Sequence, residues 1–213
     1  MEGTNQNGRE EENLSNALRR KSKPQFFTKS DRNIIRNNQF GRNNTANLVT
    51  KAYKDYMAIG YIILHDKFGF GQKRIVRLQN TVNQYLETAA DDKNMNGTSL
   101  ASMLEKKYKI YVNSEVNRVP QRQLMVLYAQ KGRVIEREAY KLSGAAMYNY
   151  FALTLTALKT QFKLTVKQLH EFLDKFIDYI DTLSNFSQYA LTVPMIADSL
   201  AEEIGFVCDL ERR

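Results

Sequence analysis

Two glycines followed by three cations form the part of this sequence best suited to hold a phosphate. The residues are Gly69, Gly71, Lys73, Arg74 and Arg77. Glycine turns expose backbone N–H groups, a helix N-terminus favours an anion, and Lys and Arg neutralise it. The spacing departs from a P-loop, which needs GxxxxGK(S/T) after a strand. Here FGFG follows an apolar run of helical period. The plainer reading is a turn between two antiparallel helices, with Phe68 and Phe70 as core plugs. The same stretch also fits a helix-turn-helix. Its second helix then has a polar face of Gln72, Lys73, Arg77, Gln79, Asn80, Asn83 and Gln84.

No other constellation carries chemistry. His65 precedes Asp66 and His170 precedes Glu171, but two isolated histidines do not supply a zinc ligand set. Cys208 is the single cysteine. It excludes an internal disulfide and reads as a small core residue. No Ser/His/Asp set, paired carboxylates at a recognisable spacing or dinucleotide fingerprint is present. The expectation is a protein that is not an enzyme, with no catalytic residue, metal or cofactor.

The charge is concentrated. The chain carries a formal net charge of +8, and Leu18–Lys54 alone holds ten Lys and Arg against Asp31. The first 17 residues are polar, with four Glu and one Arg, and are expected to be disordered. The basicity therefore belongs to an N-terminal arm, read as residues 1–44, largely extended and flexible. Its Arg19, Arg20, Lys21, Lys23, Lys29, Arg32, Arg36 and Arg42 gain from phosphate neutralisation and counterion release. Phe26, Phe27 and Phe40 are available to stack on bases. The competing readings are a solvated tail and a segment that docks on protein.

The elements that position these residues show an internal repeat. Leu64–Leu86 reads as helix, glycine turn, helix, and returns 94 residues later as Leu158–Ile180. Leu64 matches Leu158, Phe68 matches Phe162, Phe70 matches Leu164, and Ile75 matches Leu169. Leu78 matches Phe172, Val82 matches Phe176, and Tyr85 matches Tyr179. After a two-residue insertion, Leu100, Ala101, Leu104 and Ile110 match Ile196, Ala197, Leu200 and Phe206. Apolar positions persist while polar ones drift, as a shared core demands. Lys163 and Thr165 replace the two glycines, with Thr165 a good N-cap.

Asn44 or Thr45 is expected to start the first helix. Thr98 or Ser99 caps a short helix before a strand-like Lys109–Val112, and Val119–Leu142 is helical, running on through Gly144. The pattern predicts an all-α protein with two duplicated helical units, 45–118 and 119–213, packed about a pseudo-twofold axis behind the basic arm.

Two apolar runs, Tyr56–Leu64 and Leu142–Leu158, fall short of the ~20 apolar residues a membrane span needs. The N-terminus has no secretory signal pattern. A cytoplasmic protein with no membrane partner is expected, as a monomer or a homo-oligomer.

LHDKFGFGQKRI, Leu64–Ile75, resembles a pattern, LxDxFGFGxxRL, of small uncharacterised proteins from Firmicutes and their phages, with Ile75 where Leu is usual. The resemblance implies a bacterial or phage origin and carries no activity. The sequence points to a non-enzymatic phage or mobile-element protein that binds nucleic acid through its arm and helical body. The alternative is a protein-interaction module that inhibits a host or defence enzyme acting on nucleic acid.

Overall fold

The computed structural model describes the backbone of residues 29–91, 96–128 and 135–210, with side chains over 45–88, 96–128 and 135–210. All regular structure among these residues is helical. The helices are α1 (Lys29–Phe68), α2 (Gln72–Asp91), α3 (Gly97–Tyr108), α4 (Val112–Asn117), α5 (Gln121–Tyr128), α6 (Glu136–Thr160), α7 (Val166–Ser184), α8 (Phe186–Tyr189) and α9 (Val193–Ile204). The chain divides into two compact units, Met1–Arg42 and Asn43–Arg213. Both expected helical units fall within the second.

In the first unit, residues 29–42 are helical, which corrects the expectation of an extended arm up to residue 44. The asparagines suggested a break. However, Asn costs less than about 0.7 kcal/mol relative to Ala in a helix, and elongation from a formed helix adds one hydrogen bond per residue. No proline interrupts the chain between Pro24 and Pro120.

In the second unit, α6 lies at the centre and packs against α2, α3, α4, α5 and α7. Both apolar runs that invited a membrane test are core helix, and no helix among the described residues is long and apolar enough to cross a membrane. The centre is aromatic. Tyr56, Tyr150, Phe151, Phe172 and Phe176 are fully buried, with ring centroids 5.0–6.2 Å apart. Burying each such side chain contributes about 1.5–3 kcal/mol. Tyr56 donates its hydroxyl to the Ser143 carbonyl at 3.2 Å.

Three further expectations change. Val119–Leu142 is not one helix: α5 ends at Tyr128, and Ile135, with extended backbone at φ −70° and ψ 146°, precedes α6. Lys109–Val112 is not a strand: Lys109 closes α3 with φ 60° and Val112 opens α4. The N-cap of α3 is Asn96, which accepts from the Ser99 N–H, while Ser99 accepts in return from the Asn96 N–H. Ser99 is thus the third helical residue of a capping box rather than the cap itself.

Local geometry recurs at the offsets seen in the sequence. Gly69 and Lys163, 94 apart, both adopt left-handed backbone at φ 63° and 58°. Phe70 and Leu164 follow them, are both buried, and return their N–H to the carbonyls of Leu64 and Leu158. Lys109 and Gly205, 96 apart, are left-handed at φ 60° and 68°, each followed by a buried residue, Ile110 and Phe206. The bounds of α3 and α9 differ by the same 96 residues, and their caps are Asn96 and Thr192.

Side-chain contacts pair in the same way. Tyr85 Oη lies 3.0 Å from Thr160 Oγ1, and Tyr179 donates to Asp66 at 3.4 Å. Each contact is the other with its two residues exchanged under the offset of 94. His65 Nδ1 meets the Phe70 carbonyl at 3.2 Å, and Lys159 donates to the Leu164 carbonyl at 3.0 Å.

Candidate nucleic-acid interface

The turn between α1 and α2 is a helix C-cap. Gly69 donates its N–H to His65 O and Phe70 donates to Leu64 O, both at 3.0 Å. The Gly69 bond is the 5→1 bond of an αL cap, and glycine adopts its left-handed residue without steric cost. The N–H groups of Gly69 and Phe70 are therefore spent on closing α1 and are not offered to an anion. Phe70 is fully buried and Phe68 half-buried against the core, so the plug reading holds for Phe70 and in part for Phe68.

The three cations after the turn part company. Lys73, Arg74 and Arg77 are all exposed on the first turns of α2. Arg74 folds back over Phe70, its guanidinium carbon 3.7 Å from the ring centroid, and Nη1 reaches the Phe68 carbonyl at 3.5 Å. Lys73 and Arg77 instead line an open, polar cleft of about 380 Å³ with Asn80, Thr81 and Gln84. Ile75, Leu78 and Val82 bury the opposite face of α2, which fixes the direction of this polar strip.

The second helical hairpin completes the site. Gln161, just past α6, lines the same cleft. Phe162 stacks beside Phe70 with centroids 5.2 Å apart, and Arg77 sits 5.5 Å from the Phe162 centroid. Lys163 and Lys167 follow in the chain and are exposed. Sequence reading missed Gln161 because its link to α2 is purely tertiary. Lys167 was visible as the counterpart of Lys73. Chemically, the cleft offers two cations and three amide side chains, Asn80, Gln84 and Gln161: donors for phosphate oxygens, and donors and acceptors for base edges.

Of the other expected residues, Arg19, Arg20, Lys21 and Lys23 lie outside the described residues. Lys29, Arg32, Arg36 and Arg42 are backbone positions of α1 whose side chains are also outside the description.

The structure also joins residues that the sequence kept apart. His65 Nε2 lies 3.0 Å from Glu203 Oε2, and Asp66 stands close enough that donor atoms of all three fall within 4.8 Å of one another. Both imidazole nitrogens are already engaged, one by Glu203 and one by the Phe70 carbonyl. Three donors, two of them exposed, are one short of a closed tetrahedral zinc site. His170 belongs to a separate ion cluster. Arg118 bridges the buried Glu115 at 2.6 Å and Asp174 at 2.7 Å, and His170 Nδ1 is 3.8 Å from Glu115. These two carboxylates raise the Arg118 pKa further, Asp174 first.

Comparison with known protein families, with curated proteins and with solved structures finds no match to this chain.

Proposed function

We propose that this protein binds nucleic acid without catalysing a reaction. The observation that carries the reading is the cleft along α2, where Lys73 and Arg77 stand beside Asn80, Gln84 and Gln161 on an exposed polar face. The basic stretch Leu18–Lys54 adds phosphate contacts that do not depend on base sequence. The amide side chains supply the hydrogen-bonding groups that can read base edges. A phage or mobile-element setting is proposed on the resemblance of Leu64–Ile75 alone.

The test is a gel-shift and fluorescence titration of the full chain with duplex DNA, single-stranded DNA and RNA, each run as a salt series. Binding should weaken linearly in log–log form with salt. Charge reversal by Lys73→Glu with Arg77→Glu should weaken it strongly. Absence of binding at 50 mM salt to all three probes would overturn the reading. The inhibitor alternative would then be tested by adding the protein to nuclease and polymerase assays.

We also infer that Ala58–Val112 and Ala152–Cys208 are two copies of one unit packed about a pseudo-twofold axis. Support comes from the paired left-handed caps, the equal spacing of α3 and α9, and the exchanged contacts Tyr85–Thr160 and Tyr179–Asp66. A twofold relation requires that if residue i touches j, the counterpart of j touches the counterpart of i.

A further inference from the structure

A pocket of about 550 Å³ opens between α1, α2, α6 and the stretch after α9. Its wall is largely apolar, including Val49, Tyr53 and Met57 of α1, Leu86 of α2, Leu153 of α6 and Cys208. Lys54 and Asp209 form an ion pair of 3.0 Å at this wall. The Tyr53 hydroxyl is buried and makes no hydrogen bond.

The other half of the molecule shows what such a face receives. The offset of 94 carries Val49, Tyr53 and Met57 to Ser143, Met147 and Phe151, all fully buried. It carries Leu86, 43% exposed, to Ile180, 0% exposed. The helix packed on α6 and α7 at this corresponding face is α5. It buries Leu124 and Tyr128, one turn apart, and Gln123 bonds to Asp181 beside Ile180. Tyr128 stands edge-on to Tyr56 with centroids 5.8 Å apart. Among the described residues of the second unit, no helix fills the equivalent place over α1 and α2.

We infer that the pocket receives an amphipathic helix of a partner protein, presenting an aliphatic and an aromatic side chain one turn apart, as α5 does on the other half. The inference rests on the two-copy reading above and is independent of nucleic-acid binding. Helix-in-groove recognition uses such anchors at i and i+4. The volume lies within the ordinary range for a buried ligand group, roughly 300–1,000 Å³. A carboxylate or amide beside the aromatic anchor would satisfy the Tyr53 hydroxyl.

The natural probe is a synthetic, fluorescein-labelled peptide of the chain's own α5 region, VPQRQLMVLY, residues 119–128. It is titrated into the full chain and followed by anisotropy. Saturable binding is expected. It should weaken at least about tenfold with Leu86→Asp, the cost of one good anchor contact. It should vanish when the peptide's Leu124 and Tyr128 are replaced by Ser. Leu86 is 43% exposed, so this variant keeps the fold, and it leaves Ile180, its counterpart at the α5 site, unchanged, which separates the pocket from displacement of α5 itself.

A second readout needs no variant. Cys208 is the single thiol and lines the pocket, so peptide should slow its alkylation by maleimide. The inference falls if the peptide does not bind at millimolar concentration. It falls too if Leu86→Asp leaves binding unchanged and Cys208 is unprotected. If the dye ANS binds to the wild type, loses binding in Leu86→Asp and is not displaced by peptide, the pocket belongs to a small apolar ligand and the helix is overturned. Two-copy architecture survives each of these failures, and the shift assay reads nucleic-acid binding alone.

Discussion

Tyr150 aims its hydroxyl at Gly60, and a Cβ built on Gly60 would lie 1.8 Å from that oxygen. The ring cannot retreat, because Tyr53, Phe151 and Phe176 hold it at centroid distances of 5.6–5.9 Å. Ala normally stabilises a helix interior by about 1 kcal/mol over Gly. Here the clash decides the sign, and Gly60→Ala should destabilise by about 2 kcal/mol in urea denaturation. The Tyr150 hydroxyl sits near Thr154 without a hydrogen bond of proper geometry. Tyr150→Phe should therefore be neutral or stabilise by up to about 1 kcal/mol. Combined with Gly60→Ala it should restore part of the loss, since the ring carbon would still be only 3.0 Å from the new Cβ. An additive double mutant would show that this oxygen is not the obstacle.

Gly69 and Lys163 offer a like-for-like swap. Both are exposed and left-handed, and nothing lies within 4 Å of a Cβ on Gly69, so only backbone conformation is at stake. Left-handed backbone costs an L-residue roughly 1 kcal/mol. Lys163→Gly should stabilise by about that amount and Gly69→Lys should destabilise by about as much. Thermal melts of both variants check it. Shifts of the same sign would refute the equivalence of the two caps.

Alkaline pH should unfold this protein. Burial pushes the Tyr53 phenol up to about 12 and the Cys208 thiol up to about 11, and it raises Tyr56, Tyr61, Tyr128 and Tyr150 well above 10. Each group holds its proton in the folded state after the unfolded chain has lost it. The stabilisation is thus complete below the unfolded pKa and is lost as pH rises through the folded one. Stability should begin to fall near pH 9 from Cys208 and fall steeply from pH 10 through 12. Absorbance at 295 nm should report cooperative tyrosinate release that coincides with loss of helix by circular dichroism. Gradual release without loss of helix would mean the phenols reach solvent in the folded state.

Most of the core could be read from the repeat. Every aligned apolar pair from Leu64/Leu158 to Val82/Phe176 has matching burial, as the proposed duplication requires. The same offset reaches further back than the matched hairpin, to Tyr56 and Tyr150, whose rings lie 6.2 Å apart. The start of α1 was not legible: local turn preference of Asn yields to helix elongation. Nor were the tertiary partners. Glu203 reaches His65 across 138 residues. Gln161 enters the α2 cleft only because the second hairpin turns beside the first. Spacing named Lys73, Arg74 and Arg77 as one set, whereas packing divides them.

That division yields the sharpest test of the interface. Arg74 is committed to the Phe70 ring and the Phe68 carbonyl, while Lys73 and Arg77 face the cleft. Arg74→Ala should lower stability by about 0.5–1 kcal/mol, the size of an exposed cation–π contact. It should leave nucleic-acid affinity within about twofold. Lys73→Ala with Arg77→Ala should do the reverse. Melting should barely move, affinity should fall, and the slope of log K against log salt should shrink by about two, one for each lost phosphate contact. Asn80→Ala should instead change preference among sequences and leave the salt slope unchanged, because an amide neutralises no phosphate. If Arg74→Ala costs as much affinity as the cleft pair, the binding surface is the aromatic cap of the two hairpins, and the cleft is only its edge.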